Sequence, residues 1–238
     1  MASRYSVVLV RPRLPSNVGS AARAAKNFGA LDLRLVEPAA PIDEEARRIA
    51  SGADDLLAQS TRFDRLIDAV APFDAVVATS SLRGRGERSF LALAGLPEWL
   101  GGLGAGARIA FVFGPERSGL TEQERSHASI CLRLPTEPAF PTLNLSHAVA
   151  TVLAVARLEE ERPAAPTGEE WARAQEVEGT LEHWDRALDA IGFYDTGHRD
   201  RSLRDWRRIV AGRPLTQREA AILRGVANRI LVSLRRRK

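Results

Sequence analysis

Three short polar segments carry residue types that bind ligands, and each follows a predicted β-strand. They are residues 17–23, 114–119 and 141–146. Ligands of parallel α/β sheets bind beyond the carboxyl ends of the strands, where these segments are expected to lie. Taken singly, each segment also has a structural explanation, because Asn17 and Asn144 are placed to cap helices and the glycines to form turns. Only their order and spacing together point to one ligand site.

Other kinds of active site find no support in the sequence. Ser118 lacks the G-x-S-x-G pattern of a nucleophilic serine. The four histidines have no metal-ligand spacing, and His147 is expected on a helix surface or in packing. The glycines at 102–106 precede a predicted strand, whereas a nucleotide-binding loop follows one, and no P-loop is present. A catalytic triad, a resident metal and ATP hydrolysis are therefore not expected.

The elements that must position the three segments alternate in the order of an α/β fold. Short apolar runs predict strands at 6–10, 32–36, 74–79, 108–113 and 130–134. Helices are predicted at 17–28, from 121 onward and at 144–160, and a broken helical region at 43–71. Thr121 and Glu124 form a capping box at the start of one helix. A strand, a helix and a strand within the first 36 residues indicate a parallel sheet.

A second region of different composition follows this α/β domain. Residues 162–168 are rich in Pro and Ala and predict a linker between a domain of residues 1–161 and an α-helical extension of residues 169–238. The extension has predicted helices at 169–191, at 200–210 and from 215 to the end. The last of them begins with a capping box and has an apolar stripe at i, i+4 spacing (Ile222, Val226, Ile230 and Leu234).

The overall composition is that of a globular protein in a reducing compartment. Of 238 residues, 45% are hydrophobic and 27% charged. No apolar run approaches the roughly 18 residues that a membrane helix needs, and residues 1–12 lack a signal-peptide pattern. Cys131 is the single cysteine, so no disulfide can form within the chain. We expect a cytoplasmic protein with no membrane partner.

Positive charge is concentrated at the end of the chain. Residues 199–238 carry 13 basic side chains against three acidic ones, a net +10 within a total of +4. A basic surface of this kind binds phosphates by releasing their counterions. The equally open alternative at this point is a solvated helix surface that keeps the chain soluble.

Taken together, the three polar segments resemble motifs 1, 2 and 3 of the SpoU-type RNA ribose 2′-O-methyltransferases of the SPOUT superfamily. The resemblance covers residues 6–160. Residues 50–56 are similar to a segment of the TrmJ branch, whose members methylate tRNA, and residues 190–194 and 215–225 are similar to the C-terminal extension of that branch.

The resemblance implies a fold and an activity that periodicity alone does not show. It implies a parallel sheet flanked by helices, with a trefoil knot in its C-terminal part that binds S-adenosylmethionine. It also implies a homodimer whose active site lies near the subunit interface. The implied reaction is methylation of the ribose 2′-hydroxyl of tRNA nucleotide 32, a cytidine or a uridine, with no metal required.

The resemblance also assigns catalytic residues. Arg23 matches the motif residue at the ribose hydroxyl, with Asn17 orienting its loop. A guanidinium normally stays protonated, so Arg23 can act as a base only if its surroundings strongly favour the neutral form. The alternative role is that of a cation that clamps the phosphate and polarises the ribose oxygen. Glu116 either holds Arg23, Asn144 or a backbone amide in place, or it only favours the dipole of the following helix.

Binding residues carry over in two sets. The residues expected to bind S-adenosylmethionine are Thr79, Ser80, Ser81, Gly114, Leu134, Pro141, Thr142, Leu143 and Asn144. Those expected to bind RNA are Arg11, Arg13, Lys26, Arg83 and Arg85, with the basic tail as a further grip or as a dimer-packing element.

Two alternatives keep the fold and change the function. The nearest is a SpoU-type enzyme acting on ribosomal RNA or on another tRNA ribose. The other is an RNA-binding protein of this fold without catalytic activity. A small-molecule enzyme with a basic tail does not explain why the three segments coincide.

Overall fold

The computed structural model of the chain describes residues 3–80, 90–104, 106–160, 170–194, 199–210 and 214–235. Three predicted site residues (Ser81, Arg83 and Arg85) and the predicted linker lie outside these ranges. Both predicted domain boundaries therefore stay predictions.

Seven parallel strands form the sheet within the described residues. They are β1 (Tyr5–Val10), β2 (Asp32–Val36), β3 (Thr61–Phe63), β4 (Ala75–Ser80), β5 (Phe90–Ala92), β6 (Ile109–Phe113) and β7 (Ile130–Arg133). Their order across the sheet is β3-β2-β1-β6-β4-β7-β5. Every residue of β1 and β6 is buried, as expected for central strands covered on both faces. The predicted α/β class and parallel sheet are confirmed.

Helices cover both faces of this sheet. Those of the α/β domain are α1 (Pro15–Asn27), α2 (Glu44–Ala50), α3 (Asp54–Ala58), α4 (Leu66–Val70), a 3-10 turn (Leu93–Gly95), α5 (Leu96–Gly102), α6 (Glu122–Ser126) and α7 (Leu145–Glu160). Helices α1, α2, α3, α5 and α7 contribute to the larger apolar cluster on one face. On the other face, α4 packs against residues of β1, β4 and β6. The sheet is therefore the centre of a three-layer domain.

Helix α1 begins two residues earlier than predicted. Leu14 is its N-cap and Pro15 its first residue, a position where the missing N–H of proline costs nothing. The predicted cap Asn17 is thus the third helical residue, and its buried side chain is available for other contacts. The prediction that Asn17 caps the helix is wrong for this reason.

Gly19 allows α1 to lie directly on α2. A Cβ atom added at residue 19 would be 2.2 Å from the carbonyl oxygen of Ala46, far inside van der Waals contact. The two helices therefore meet backbone against backbone at this point.

Two short strands were not predicted. The broken helical region at 43–71 contains α2, α3 and α4 as expected, but Thr61–Phe63 pairs with β2 at the sheet edge. The other, β5, pairs with β7 at the opposite edge. Each has three residues, too few to show a period in the sequence.

The C-terminal extension consists of α8 (Ala174–Ala190), α9 (Arg199–Val210) and α10 (Gln217–Arg235). Its small apolar cluster centres on Leu181, Val210 and Leu215. The amide of Ala174 donates to the carbonyl of Phe73 at 2.6 Å, so the extension is joined to the α/β domain by backbone contacts. On α10 the buried side chains are alanines, while Ile222 and Val226 of the predicted stripe are 57% and 45% exposed. In the described part of the chain, none of the helices has the length and apolarity to span a membrane.

Candidate functional site

A cavity of about 270 Å³ opens at the carboxyl ends of β4, β6 and β7. Seven of the nine predicted cofactor residues line it, namely Thr79, Ser80, Gly114, Leu134, Pro141, Thr142 and Leu143. Asn144 is next in the chain but directs its side chain to α1, and Ser81 lies outside the described residues. The three polar segments meet at one edge of the sheet, as their order predicts.

Three side chains, one from each polar segment, form a single hydrogen-bonded chain beside the cavity. Asn144 Nδ2 donates to Asn17 Oδ1 at 2.8 Å, and Asn17 Nδ2 donates to Glu116 Oε1 at 2.7 Å. Asn144 Oδ1 also accepts from the backbone amide of Ser146 at 2.9 Å, so it caps α7 as predicted. Because the side chain of Asn17 is bonded to Asn144 on one side and to Glu116 on the other, the three segments hold one another in place.

Glu116 presents one unused oxygen at this place. Its Oε1 accepts from Asn17 and, at 3.4 Å, from the backbone amide of Arg13. Its Oε2 is buried and has no hydrogen-bond partner among the described residues. A buried acceptor of this kind is costly unless a ligand or water donates to it. Glu116 also lines the cavity, where a ligand could supply that donor.

Gly114 lines the cavity and is also required by the fold of its own loop. A Cβ atom there would lie 2.4 Å from both Gly119 C and Leu120 N, because the loop closes on itself. Gly119 itself has a φ of +63°, which favours glycine. Replacement of Gly114 therefore distorts the loop first, and it does not isolate contact with a ligand.

Arg23 lies outside the cavity in this single chain. It is exposed on α1, six residues beyond Asn17, and it is absent from the residues that line the cavity. The structure therefore brings Asn17 and Glu116 together but does not bring Arg23 to them. Its catalytic role stays a prediction.

The described residues predicted to bind RNA have different surroundings. Arg11 forms a bidentate ion pair with Glu124 and lies 3.5 Å from Glu37. Lys26 pairs with Asp55 at 2.7 Å on the surface. The side chain of Arg13 is exposed. Of these three cations, Arg11 is thus the one most involved in contacts within the protein.

The Arg11–Glu124 contact is a feature that the sequence analysis missed. The hydrogen bond to Glu124 raises the pKa of Arg11. Burial would raise the pKa of Glu124, but the hydrogen bonds from Arg11 and Thr121 lower it. The sequence marked Glu124 as a helix cap and gave no sign of its partner, because the two residues are distant in the chain.

The cavity fits the nucleoside part of S-adenosylmethionine. Leu120, Leu134 and Leu143 offer apolar contact to a flat base, and backbone groups of the two loops lie beside them. The buried, unpaired Glu116 Oε2 offers an acceptor at the same wall. The residues in place therefore suit an apolar ring attached to polar, hydrogen-bonding groups.

Comparison with known proteins agrees with this geometry. Residues 4–154 match the sequence model of the SpoU rRNA Methylase family, and the chain belongs to that family. Residues 175–238 match the model of the C-terminal domain of the tRNA methyltransferase TrmJ. The family assignment made from the three polar segments is confirmed, and so is the resemblance of the extension.

Individual relatives give the same result. A Pseudomonas aeruginosa protein named tRNA (cytidine/uridine/adenosine-2′-O-)-methyltransferase TrmJ is 32% identical over 95% of this chain and 93% of its own. The crystal structure of TrmJ from Zymomonas mobilis superposes with a TM-score of 0.81 at 31% identity, covering 94% of this chain and 98% of that one. An AdoMet-bound rRNA methyltransferase from Sinorhizobium meliloti has a TM-score of 0.53 at 26% identity, covering 65% and 56%.

Proposed function

We propose that this protein transfers the methyl group of S-adenosylmethionine to the ribose 2′-hydroxyl of nucleotide 32 in the anticodon loop of tRNA, accepting cytidine, uridine or both. The observation that carries the proposal is the hydrogen-bonded chain Asn144–Asn17–Glu116, which joins the three family motifs beside a nucleoside-sized cavity. The match of the extension to TrmJ proteins supports tRNA, rather than ribosomal RNA, as the substrate.

The residues of the chain have mainly to position the reactants. Bound S-adenosylmethionine supplies a methyl group that is already activated on a sulfonium. Thr142 and Leu143 lie at the cavity wall and would hold the cofactor beside the two loops. Asn17 and Asn144 fix Glu116, whose free Oε2 is an acceptor for a donor group of cofactor or ribose. Orientation of this kind supplies a large part of the barrier reduction in a two-substrate transfer.

Arg23 completes this site in our proposal through a second subunit. It is exposed on α1 and does not line the cavity of its own chain. In the proposed homodimer, Arg23 of one subunit would lie at the cavity of the other, where it would hold the phosphate beside the target ribose and polarise or deprotonate the hydroxyl. A trefoil knot formed by the loops at 114–120 and 134–144 is part of the same proposal.

The proposed RNA surface combines the mouth of the cavity with the extension. Arg13 and Lys26 lie on the α/β domain, and Arg83 and Arg85 are expected to join them. Some of the arginines of the extension already have acidic partners, such as Arg207 with Glu178 and Arg199 with Asp185. The net charge of the tail therefore overstates the number of phosphates that it neutralises. A tRNA substrate also places the protein in the cytoplasm in this proposal.

A methyl-transfer assay tests the proposed function. Labelled S-adenosylmethionine is incubated with unmodified bulk tRNA, and the product is mapped by nuclease digestion and mass spectrometry. We expect a 2′-O-methyl group at nucleotide 32 and a loss of at least about 100-fold in rate for Arg23→Ala. Methylation at another tRNA ribose or only of ribosomal RNA would overturn the assigned position, and no transfer to any RNA would leave an RNA-binding protein without catalytic activity.

A further inference from the structure

The ion pair of Arg11 and Glu124 joins the loop after β1 to the helix that follows the loop after β6. Arg11 Nη2 donates to Glu124 Oε2 at 3.0 Å, and Arg11 Nη1 donates to Glu124 Oε1. The Glu124 side chain is only 14% exposed and that of Arg11 33%. A bidentate arrangement of this kind fixes direction as well as distance.

Both partners are held by their own backbones. Glu124 is the third residue of α6 and forms a capping box with Thr121, whose amide donates to Glu124 Oε2 at 2.7 Å. Arg11 has a φ of +47°, a conformation that costs a non-glycine residue free energy. Its amide donates to the carbonyl of Val36 at 2.8 Å. The pair is therefore a fixed link between two elements rather than a mobile surface contact.

A second link between the same two loops lies inside the site. Glu116 Oε1 accepts from Asn17 at 2.7 Å and from the amide of Arg13 at 3.4 Å. Residues 11–17 are thus attached at one end by Glu124 and at the other by Glu116. The two links are only a few residues apart, so the position of residue 11 constrains the path of the loop that leads to Arg13 and Asn17.

We propose that Arg11 and Glu124 are positioning residues that set the approach of Asn17 to Glu116 and so the geometry of the transfer. This inference rests on the proposed function, because it concerns the same site. The sequence assigned Arg11 to RNA binding. The inference gives Arg11 a different role, because in the structure its guanidinium pairs with the carboxylate of Glu124.

A double-mutant cycle tests this inference with Arg11→Gln, Glu124→Gln and the two combined. Glutamine at the third helical position preserves the capping box, so Glu124→Gln removes the ion pair without removing the cap. We expect each single change to lower kcat about tenfold and the double change to lower it no further, because both remove one shared interaction. We expect the Kd for tRNA, and the slope of its dependence on salt concentration, to stay within twofold of the wild-type values.

Arg11→Lys separates positioning from charge. Lysine keeps the positive charge but cannot make the bidentate contact, so a positioning role predicts that Arg11→Lys behaves like Arg11→Gln. Arg65→Gln is the matched control, because Arg65, just before α4, forms an exposed ion pair with Asp68 of that helix. We expect this variant to keep the kcat of the wild type. The inference is overturned if Arg11→Gln weakens tRNA binding and reduces the salt slope by about one while Glu124→Gln does not.

Cofactor affinity keeps this test separate from the proposed function. The loop before α6 lines the cavity, so a shift of α6 also weakens binding of S-adenosylmethionine, measured by titration calorimetry without RNA. We expect about a threefold loss, equal in both single variants and the double variant. If the wild type transfers no methyl group to any RNA, the proposed function fails and this measurement alone decides: unchanged affinity in all three variants overturns the positioning role.

Discussion

The α/β domain and the C-terminal extension are stabilised in different ways. The domain buries large apolar side chains on both faces of its sheet, among them Tyr5 and Phe111, whose rings lie 5.5 Å apart. Among the described residues, the extension has a small cluster of five buried apolar side chains. It is held to the domain by backbone hydrogen bonds and by Glu178, which lies 3.8 Å from His127 at the end of α6. Within the extension, Glu178 of α8 also pairs with Arg207 of α9.

From this difference we expect the domain and the extension to lose their structure under different conditions. Apolar burial stabilises the domain without regard to pH, since no titrating group is involved. A small cluster contributes less, so the position of the extension depends on a few polar contacts. The domain is therefore expected to keep its structure under conditions that detach the extension.

The largest expected effect comes from the core of the domain. Phe111→Ala removes a fully buried ring from the central strand β6 and costs about 4 kcal/mol of unfolding free energy. Chemical denaturation followed by far-UV circular dichroism measures it. A loss below about 1 kcal/mol would show that the sheet does not dominate stability.

A smaller and more local effect comes from Glu178→Gln. The substitution leaves Arg207 without its charged partner and costs about 3 kcal/mol in the packing of α9 on α8, while the sheet stays folded. Limited proteolysis then cuts the extension faster and leaves the domain intact. Asp68→Asn, at an exposed ion pair, is the control and changes neither rate. Equal acceleration of cleavage in both regions would contradict the separation.

The most selective effect is a pH dependence of the contacts that Glu178 makes with Arg207 and His127. Burial would raise the pKa of Glu178, but the nearby His127 and the Arg207 guanidinium lower it to about 2 from 4.5. A lowered folded-state pKa gives stability that is complete above the unfolded value and is lost as pH falls through the folded one. The contacts of Glu178 with Arg207 and His127 should therefore weaken between pH 4.5 and about 2.

The stacked rings of Trp184 and Trp206 report the packing of α9 on α8 by fluorescence, because they lie on these two helices with centroids 5.2 Å apart. The Glu178→Gln protein should lack the acid-dependent component between these pH values. An identical titration of wild type and variant would show that Glu178 does not control the packing of the two helices.

Much of the α/β domain could be predicted, because its signals are local. All five predicted strands occur, and so do the capping boxes at Thr121 and Thr216. The edge strands β3 and β5 could not be predicted, since their pairing depends on neighbours distant in the chain.

The candidate site divides in the same way. Seven of the residues predicted to bind the cofactor line one cavity, because they follow the carboxyl ends of neighbouring strands. The roles of Asn17 and Arg11 depended on partners about 100 residues away, Glu116 and Glu124, and no local spacing contains that information.

The close approach at Gly19 has a consequence for how the protein meets its substrate. Because α1 and α2 touch backbone to backbone, no side chain between them can rearrange and let one slide over the other. Asn17 and Arg23 therefore belong to a body that moves as one piece on the timescale of binding. Any change of shape on binding RNA is therefore expected outside the α1–α2 pair, for example in the loops that line the cavity.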